Sequence, residues 1–221
     1  MSGSLEGPDK RRLIILGTRT FAEEVSDLVD DCHEYTLEAF GENWERERCE
    51  RPLLGRPVIW VDDLAPFAAT HHAVCAIGSP KRSLFVGQAE TRGFRFATVT
   101  HPAARVSRTA CLGAGSIVSV AAVIAAHAVI GGHVIVNRGS LIGHHTRIGD
   151  FTTISPGANI AGSVEIGAGC YIGIGAVISD HVKVGAGCVV TAGAVVVADV
   201  PDWTQVGGIP ARALRTGLGG P

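Results

Sequence analysis

A six-residue period through the second half of the chain is what most limits how it can fold. Stepping by six from Val106, every position is a branched aliphatic: Val106, Leu112, Val118, Ile124, Ile130, Val136, Ile142, Ile148, Ile154, Ile160, Ile166, Ile172, Ile178, Val184, Val190 and Val196. The next residue is nearly always small, as at Ser107, Gly113, Ser119, Ala125, Gly131, Gly143 and Gly149. Each hexad therefore supplies a large inward position, a small inward position and a tight corner. This period matches neither the 3.6 of a helix nor the wide polar turns of a sandwich; it suits short strands joined by regular corners and stacked as a solenoid. Burying sixteen such side chains at roughly 1.5–3 kcal/mol each yields tens of kcal/mol before chain entropy is subtracted. That can hold a domain in a chain with only 5% aromatic residues.

Composition narrows the function. At 221 residues and 46% hydrophobic, the chain is globular and long enough for a real core. A net charge of −2 without a Lys/Arg run leaves no footprint for nucleic acid or an anionic membrane. The six cysteines form no CxxC pair, so neither a zinc ribbon nor a redox motif is present, and reduced thiols are expected. The opening "MSGSLEGPDKRR" is polar, and the apolar segments are broken by glycine and charge, which reads as a soluble, cytoplasmic protein.

In the first half, "RRLIILGTRTFAEEVSDLVDD" reads as a strand over Leu13–Leu16, a turn at Gly17 and an amphipathic helix with Phe21, Val25, Leu28 and Val29 inward. A second strand–helix unit follows in "HHAVCAIGSPKRSLFVGQAETRG", with Gly78-Ser79-Pro80 opening the helix, and "FRFATVT" reads as a further strand. Alternating strands and helices imply a small parallel sheet with its ligand at the strand C-termini, where Gly17 and Gly78 form the rim.

The repeated [LIV]-G-x-x-x-x pattern resembles the hexapeptide-repeat acyltransferases. With "PLLGRPVIW" and the "THPAARVS" entry to the repeat, nearly the whole chain is similar to sugar acetyltransferases of the bacillosamine and perosamine N-acetyltransferase type and the sialic-acid O-acetyltransferase type. The resemblance implies a small Rossmann-like α/β domain followed by a left-handed parallel β-helix with three hexads per coil. Residues 18 apart then stack about 4.8 Å apart. It implies a disordered tail over residues 1–10, a nucleotide-sugar-binding domain over 11–100, the β-helix over 101–200 and a C-terminal cap over 201–221. The first turn, "GTRTFAEE", departs from the family's glycine-rich form. Arg19 and Arg82 are the expected substitute phosphate donors.

"GSLIGHHTRIGD" carries the candidate chemistry. Against the hexad register, His144 and His145 follow the Gly143 corner, where side chains point away from the prism and can meet a neighbouring prism. In the resembled enzymes the base lies in a hydrophobic-x-His-acid stretch, seven residues after an asparagine. "NRGSLIGH" supplies Asn137 and His144, with His144 as general base. His145 stands where the orienting acid should be, as an orienting or substrate-contacting residue. Asp150 or an acid from the adjoining subunit is then needed to fix the tautomer. Thr153 stands where a further histidine is expected, as a substrate contact. One coil above His144 is Gly162, whose N–H suits the thioester oxyanion.

His127, His145 and His181 share a column interrupted by Ser163, and no metal is expected. His133, His71 and His72 read as solvated. Cys170 and Cys188, 18 apart at small inward positions, read as stacked core thiols rather than nucleophiles. The tail "DWTQVGGIPARALR" resembles the family's closing G-x-P-A-[KR] segment near coenzyme A. Arg212 there either pairs with a coenzyme A phosphate or belongs to a cap over the open end of the solenoid.

The resulting expectation is a homotrimeric enzyme transferring acetyl from acetyl-CoA, its co-substrate, to an amino group of a sugar, nucleotide-linked in this reading. Two alternatives stand beside it: O-acetylation at the same site, and a non-catalytic trimeric binding or scaffold protein.

Overall fold

The computed structural model describes residues 10–218. The tail expected over 1–10 therefore lies, apart from Lys10, outside the described residues, as do the last three residues of the expected cap.

Strand β1 (Arg11–Leu16) is buried on both faces from Leu13 onward, the pattern of a central strand covered by helices on either side. Helix α1 (Thr20–Cys32) lays Ala22, Val25, Leu28 and Val29 against it and ends at His33 in the left-handed region. β2 (Tyr35–Glu42), which sequence reading passed over, follows in parallel with β1. Its outward Thr36 and Glu38 mask a strand whose inward residues are Tyr35, Leu37 and Ala39. β3 (Val58–Trp60), β4 (His72–Cys75), α2 (Ser83–Glu90) and β5 (Arg95–Phe96) complete a parallel sheet in the order β3-β2-β1-β4-β5. The topology reverses between β1 and β4, and a ligand crevice forms at such a point.

The strand expected in "FRFATVT" is two strands. Arg95–Phe96 ends the α/β sheet, and Val99–Thr100 pairs with Ile117–Val118 as the first rung of the solenoid.

Among the described residues, seventeen two-residue strands, from Val99–Thr100 to Val195–Val196, form three parallel sheets, which are the faces of a prism. Partners are 18 residues apart: Ile124 with Ile142 and then Ile160, Ile130 with Ile148 and then Ile166. The hexad aliphatics from Val118 to Val196 are all buried, and Val106 and Leu112 at the open first coil pack partly against them. Face one carries the strands at 123–124, 141–142 and 159–160; face two those at 129–130, 147–148 and 165–166; face three those at 117–118, 135–136, 153–154 and 171–172.

The α/β unit packs on face three, where Ile117 and Ile135 join Leu13, Val25, Leu28 and Val99 in one apolar cluster. At the far end, Gln205–Gly208 extends face three and Ala211–Arg215 folds back antiparallel on it, so the tail caps that sheet. Cys170 and Cys188 are fully buried and donate to the Gly185 and Pro201 carbonyls, as core thiols do.

Replacing fully buried Ile172 by Ala should cost about 2–5 kcal/mol, because neighbouring rungs hold the cavity open. Urea unfolding should show a lower midpoint with an unchanged slope.

Candidate active site

His144 and His145 stand on the edge between faces one and two, both exposed. His145 takes a left-handed backbone, φ 59°, which turns the corner and brings its ring back toward His144. Their Nδ1 atoms are 3.1 Å apart, a hydrogen-bond distance. Two imidazoles meeting Nδ1 to Nδ1 hold one proton between them, so one ring donates and the other accepts. The His127 ring lies one coil down, its centroid 4.9 Å from that of His145.

One coil up, Gly162 sits against the His144 imidazole. A Cβ there would lie 2.7 Å from Cε1 and 2.8 Å from Nε2, so glycine is what lets the ring lie over the backbone. The Gly162 carbonyl accepts from the His181 N–H, while its own N–H has no partner among the described residues. A free amide donor therefore adjoins an imidazole, as the 18-residue stacking requires. Asp150 does not orient this histidine. It lies on the next edge, between faces two and three, where its carboxylate accepts the Gly132 N–H at 2.8 Å.

A second centre lies at the switch point of the α/β sheet. Gly17, at φ +120°, lets the end of β1 pass beside the Ala76 carbonyl, which a Cβ would approach to 3.1 Å. Gly17, Arg19 and Gly78 come together in a cleft of about 400 Å³ with Phe21, Trp44 and Lys81. The Arg19 guanidinium pairs with Glu45 at 2.6 Å on the exposed rim. Lys81 is exposed and has no ion-pair partner among the described residues. Glu42, at the end of β2, is buried, with its carboxylate taking the N–H groups of Asn43, Trp44 and Glu45 and the Thr18 hydroxyl. That network holds the turn bearing Trp44, a residue 82% exposed at the cleft. Sequence reading missed Glu42, Trp44 and Lys81; recognising β2 would have placed the first two at a strand C-terminus.

A groove of about 870 Å³ continues from Gly78 and Lys81 onto face three, lined there by Asn137, Thr153, Tyr171 and Trp203. Asn137 is buried and donates to the Ile154 carbonyl. The expectation that Arg82 offers its charge to a phosphate is corrected. Arg82 is 1% exposed, and all its N–H groups point to protein acceptors. Burial lowers its pKa to about 10, which leaves it charged at neutral pH. The Thr153 hydroxyl, expected on substrate, accepts from Arg82 and donates to the Gly78 carbonyl, each at 2.8 Å.

Asn137 and His144, seven residues apart, do not share a cavity. Asn137 opens on face three, and the edge of His144 is the one opposite that face in a three-sided prism. Arg212 is exposed on the terminal hairpin, and among the described residues its side chain bonds only to the Ala211 carbonyl.

Two histidines read as solvated are buried. His71 lies between Thr70 and the Glu38 carboxylate. His133 stacks on Phe151 and meets the edge of Phe96, where burial and nearby Arg82 lower its pKa to about 4 and keep it neutral. His72 is half-buried. No group of three potential metal ligands gathers among the described residues. None of their helices is long and apolar enough to cross a membrane.

The profile of the bacterial transferase hexapeptide family (six repeats) matches residues 145–180. The perosamine N-acetyltransferase of Caulobacter crescentus, solved with CoA and GDP-perosamine as a variant with one histidine changed to asparagine, superposes with a TM-score of 0.85 at 30% identity. That match covers 92% of this chain and 96% of the other. The acetyltransferase domain of PglB from Neisseria gonorrhoeae gives a TM-score of 0.84 at 31% identity over 93% of this chain and all of that one. WeeI from Acinetobacter baumannii gives 0.83 at 28%, over 93% of this chain and all of that one.

The chain belongs to the hexapeptide-repeat sugar acetyltransferases. It is an acyltransferase, and its solenoid is a left-handed parallel β-helix. No curated protein matches it by sequence.

Gly162→Ala tests the edge geometry. The added methyl must displace the His144 ring, so acetyl-CoA consumption should fall by about 10²-fold. The thermal midpoint should move by only a few degrees, since Gly162 lies at a half-exposed corner.

Proposed function

We propose that the protein is a homotrimer that transfers acetyl from acetyl-CoA to an amino group of a nucleotide-linked sugar, with His144 as general base. The observation that carries this reading is the His144 imidazole lying against Gly162 beside an unpartnered N–H. The relatives solved with CoA and GDP-perosamine, or with acetyl coenzyme A, support the two substrates.

The acceptor amine attacks the thioester carbonyl carbon, forming the C–N bond. The carbonyl oxygen gains charge and takes the Gly162 N–H. His144 Nε2 removes the amine proton, the C–S bond breaks, and the departing thiolate takes that proton to leave as the coenzyme A thiol. Charge is balanced at each stage, and no acyl-enzyme forms. His145 Nδ1 accepts the Nδ1–H of His144, which leaves Nε2 bare toward the acceptor. A neutral histidine behind the base suits an amine, which attacks with its own lone pair. A sugar hydroxyl would draw more from a carboxylate at that position.

The nucleotide lies in the Gly17–Gly78 cleft with Lys81 at its phosphates, and the sugar extends into the groove on face three. Because His144 stands on the opposite edge, the base meeting that sugar belongs to a neighbouring copy, and three copies around an axis make three such sites. Arg212, exposed on the terminal hairpin, is the cation for a coenzyme A phosphate.

His144→Ala should lower kcat by about 10²–10⁴-fold with little change in the KM for acetyl-CoA. A rate within twofold of wild type would remove His144 from the chemistry. His145→Asp places a carboxylate behind the base and favours its protonated form, so the acidic limb of kcat/KM should move to higher pH. An unmoved limb would mean that the Nδ1 contact is not made during turnover.

A further inference from the structure

Arg82 is an expensive way to hold two units together. Its Nε and Nη2 donate to the His133 carbonyl at 2.9 and 2.6 Å, Nη2 also to the Thr152 carbonyl at 2.9 Å, and Nη1 to the Ser79 carbonyl at 3.1 Å and the Thr153 hydroxyl at 2.8 Å. Every acceptor is neutral, so a whole guanidinium charge is desolvated with no carboxylate to balance it. An apolar side chain there would leave the His133 carbonyl, which has no other donor among the described residues, buried and unpaired, so the seam needs a donor and the guanidinium brings five.

What the arginine adds over an apolar contact is directional control of one turn. Gly78–Lys81 bears the carbonyls of Gly78 and Ser79, held by Thr153 and Arg82 respectively. This turn also walls both cavities: Gly78 and Lys81 line the cleft, and Gly78, Ser79, Pro80 and Lys81 line the groove. A ligand spanning the two cavities must pass over it.

We propose that Arg82 and Thr153 are positioning residues for the acyl acceptor, fixing the Gly78–Lys81 turn on face three so that a sugar tethered in the cleft reaches the groove at one set distance. The inference rests on the nucleotide-sugar reading above. Its physical content is that binding energy from the nucleotide is turned into placement of the sugar amine. Loosening the turn wastes that energy even though each cavity persists. A displacement of about 1 Å at a reacting group can cost on the order of 10²-fold in rate.

The test compares wild type with Thr153→Val, which removes only the hydroxyl, and Arg82→Lys, which keeps the charge but not the forked donors. Wild type is first assayed with GDP-, UDP- and dTDP-linked 4-amino sugars, and the one turned over is used with its free amino sugar as the untethered control. Both variants should lose at least about tenfold in kcat/KM for the linked sugar. The KM for acetyl-CoA should stay within about twofold, and any loss with the free sugar should be several-fold smaller than the loss with the linked sugar, so the advantage conferred by the nucleotide collapses. Equal losses on linked and free sugar, or a loss tracking the thermal midpoint alone, would make the pair mere adhesive and overturn the inference. If Arg82→Lys does not fold, Thr153→Val decides by the same comparison. Wild-type turnover of none of the linked sugars would remove the nucleotide-sugar reading and this inference with it, an outcome distinct from turnover without the selective loss.

Discussion

Parallel pairing between residues 18 apart is the interaction on which every other feature of this molecule depends. Each solenoid strand from Val99–Thr100 to Val195–Val196 is two residues long, too short to hold itself, and is secured by the equivalent strands above and below. The continuous column of Ile and Val inside those rungs keeps the spacing constant from coil to coil. Constant spacing stacks Gly162 on His144, and places Thr153 at the height where Arg82 reaches it. The site geometry is a by-product of the core.

A prism also separates what a single chain can bring together. The His144 edge lies between faces one and two, while the α/β unit and its cavities cover face three. In such a solid an edge cannot reach across to the face opposite it. Oligomerisation is therefore part of the chemistry in this account rather than an addition to stability. The seam on face three is rigid because a buried charge and its carbonyl partners tolerate little change in geometry. In the proposed trimer, face three is the platform toward which a neighbour's histidine is aimed.

The solenoid was legible because its period is strict: sixteen positions without a miss leave no other architecture. The His144–Gly162 contact was legible for the same reason, since stacking at 18 converts register into proximity once three hexads per coil are assumed. The α/β half was less so. β2 was missed because its outward Thr36 and Glu38 interrupt the apolar run, and with it went Glu42 and Trp44 at the cleft. Arg82 and His133 were read as surface groups because residue type alone favours exposure for both. Their burial arises from contact between two units, to which no local pattern points. Asn137 and His144 belong to one motif in the chain and to opposite sides of the prism, a distinction that only the three-faced coil makes visible.

Subunit mixing tests the central claim, that the acceptor groove of one copy meets His144 of another. Co-expression of His144→Ala with Lys81→Glu, each inactive alone, should restore about a quarter of the wild-type rate, since random trimers of the two pair an intact groove with an intact histidine at about that fraction of sites. Mixed trimers, verified by differential tags, that remain as inactive as the parents would show that base and groove act within one chain, contradicting the account.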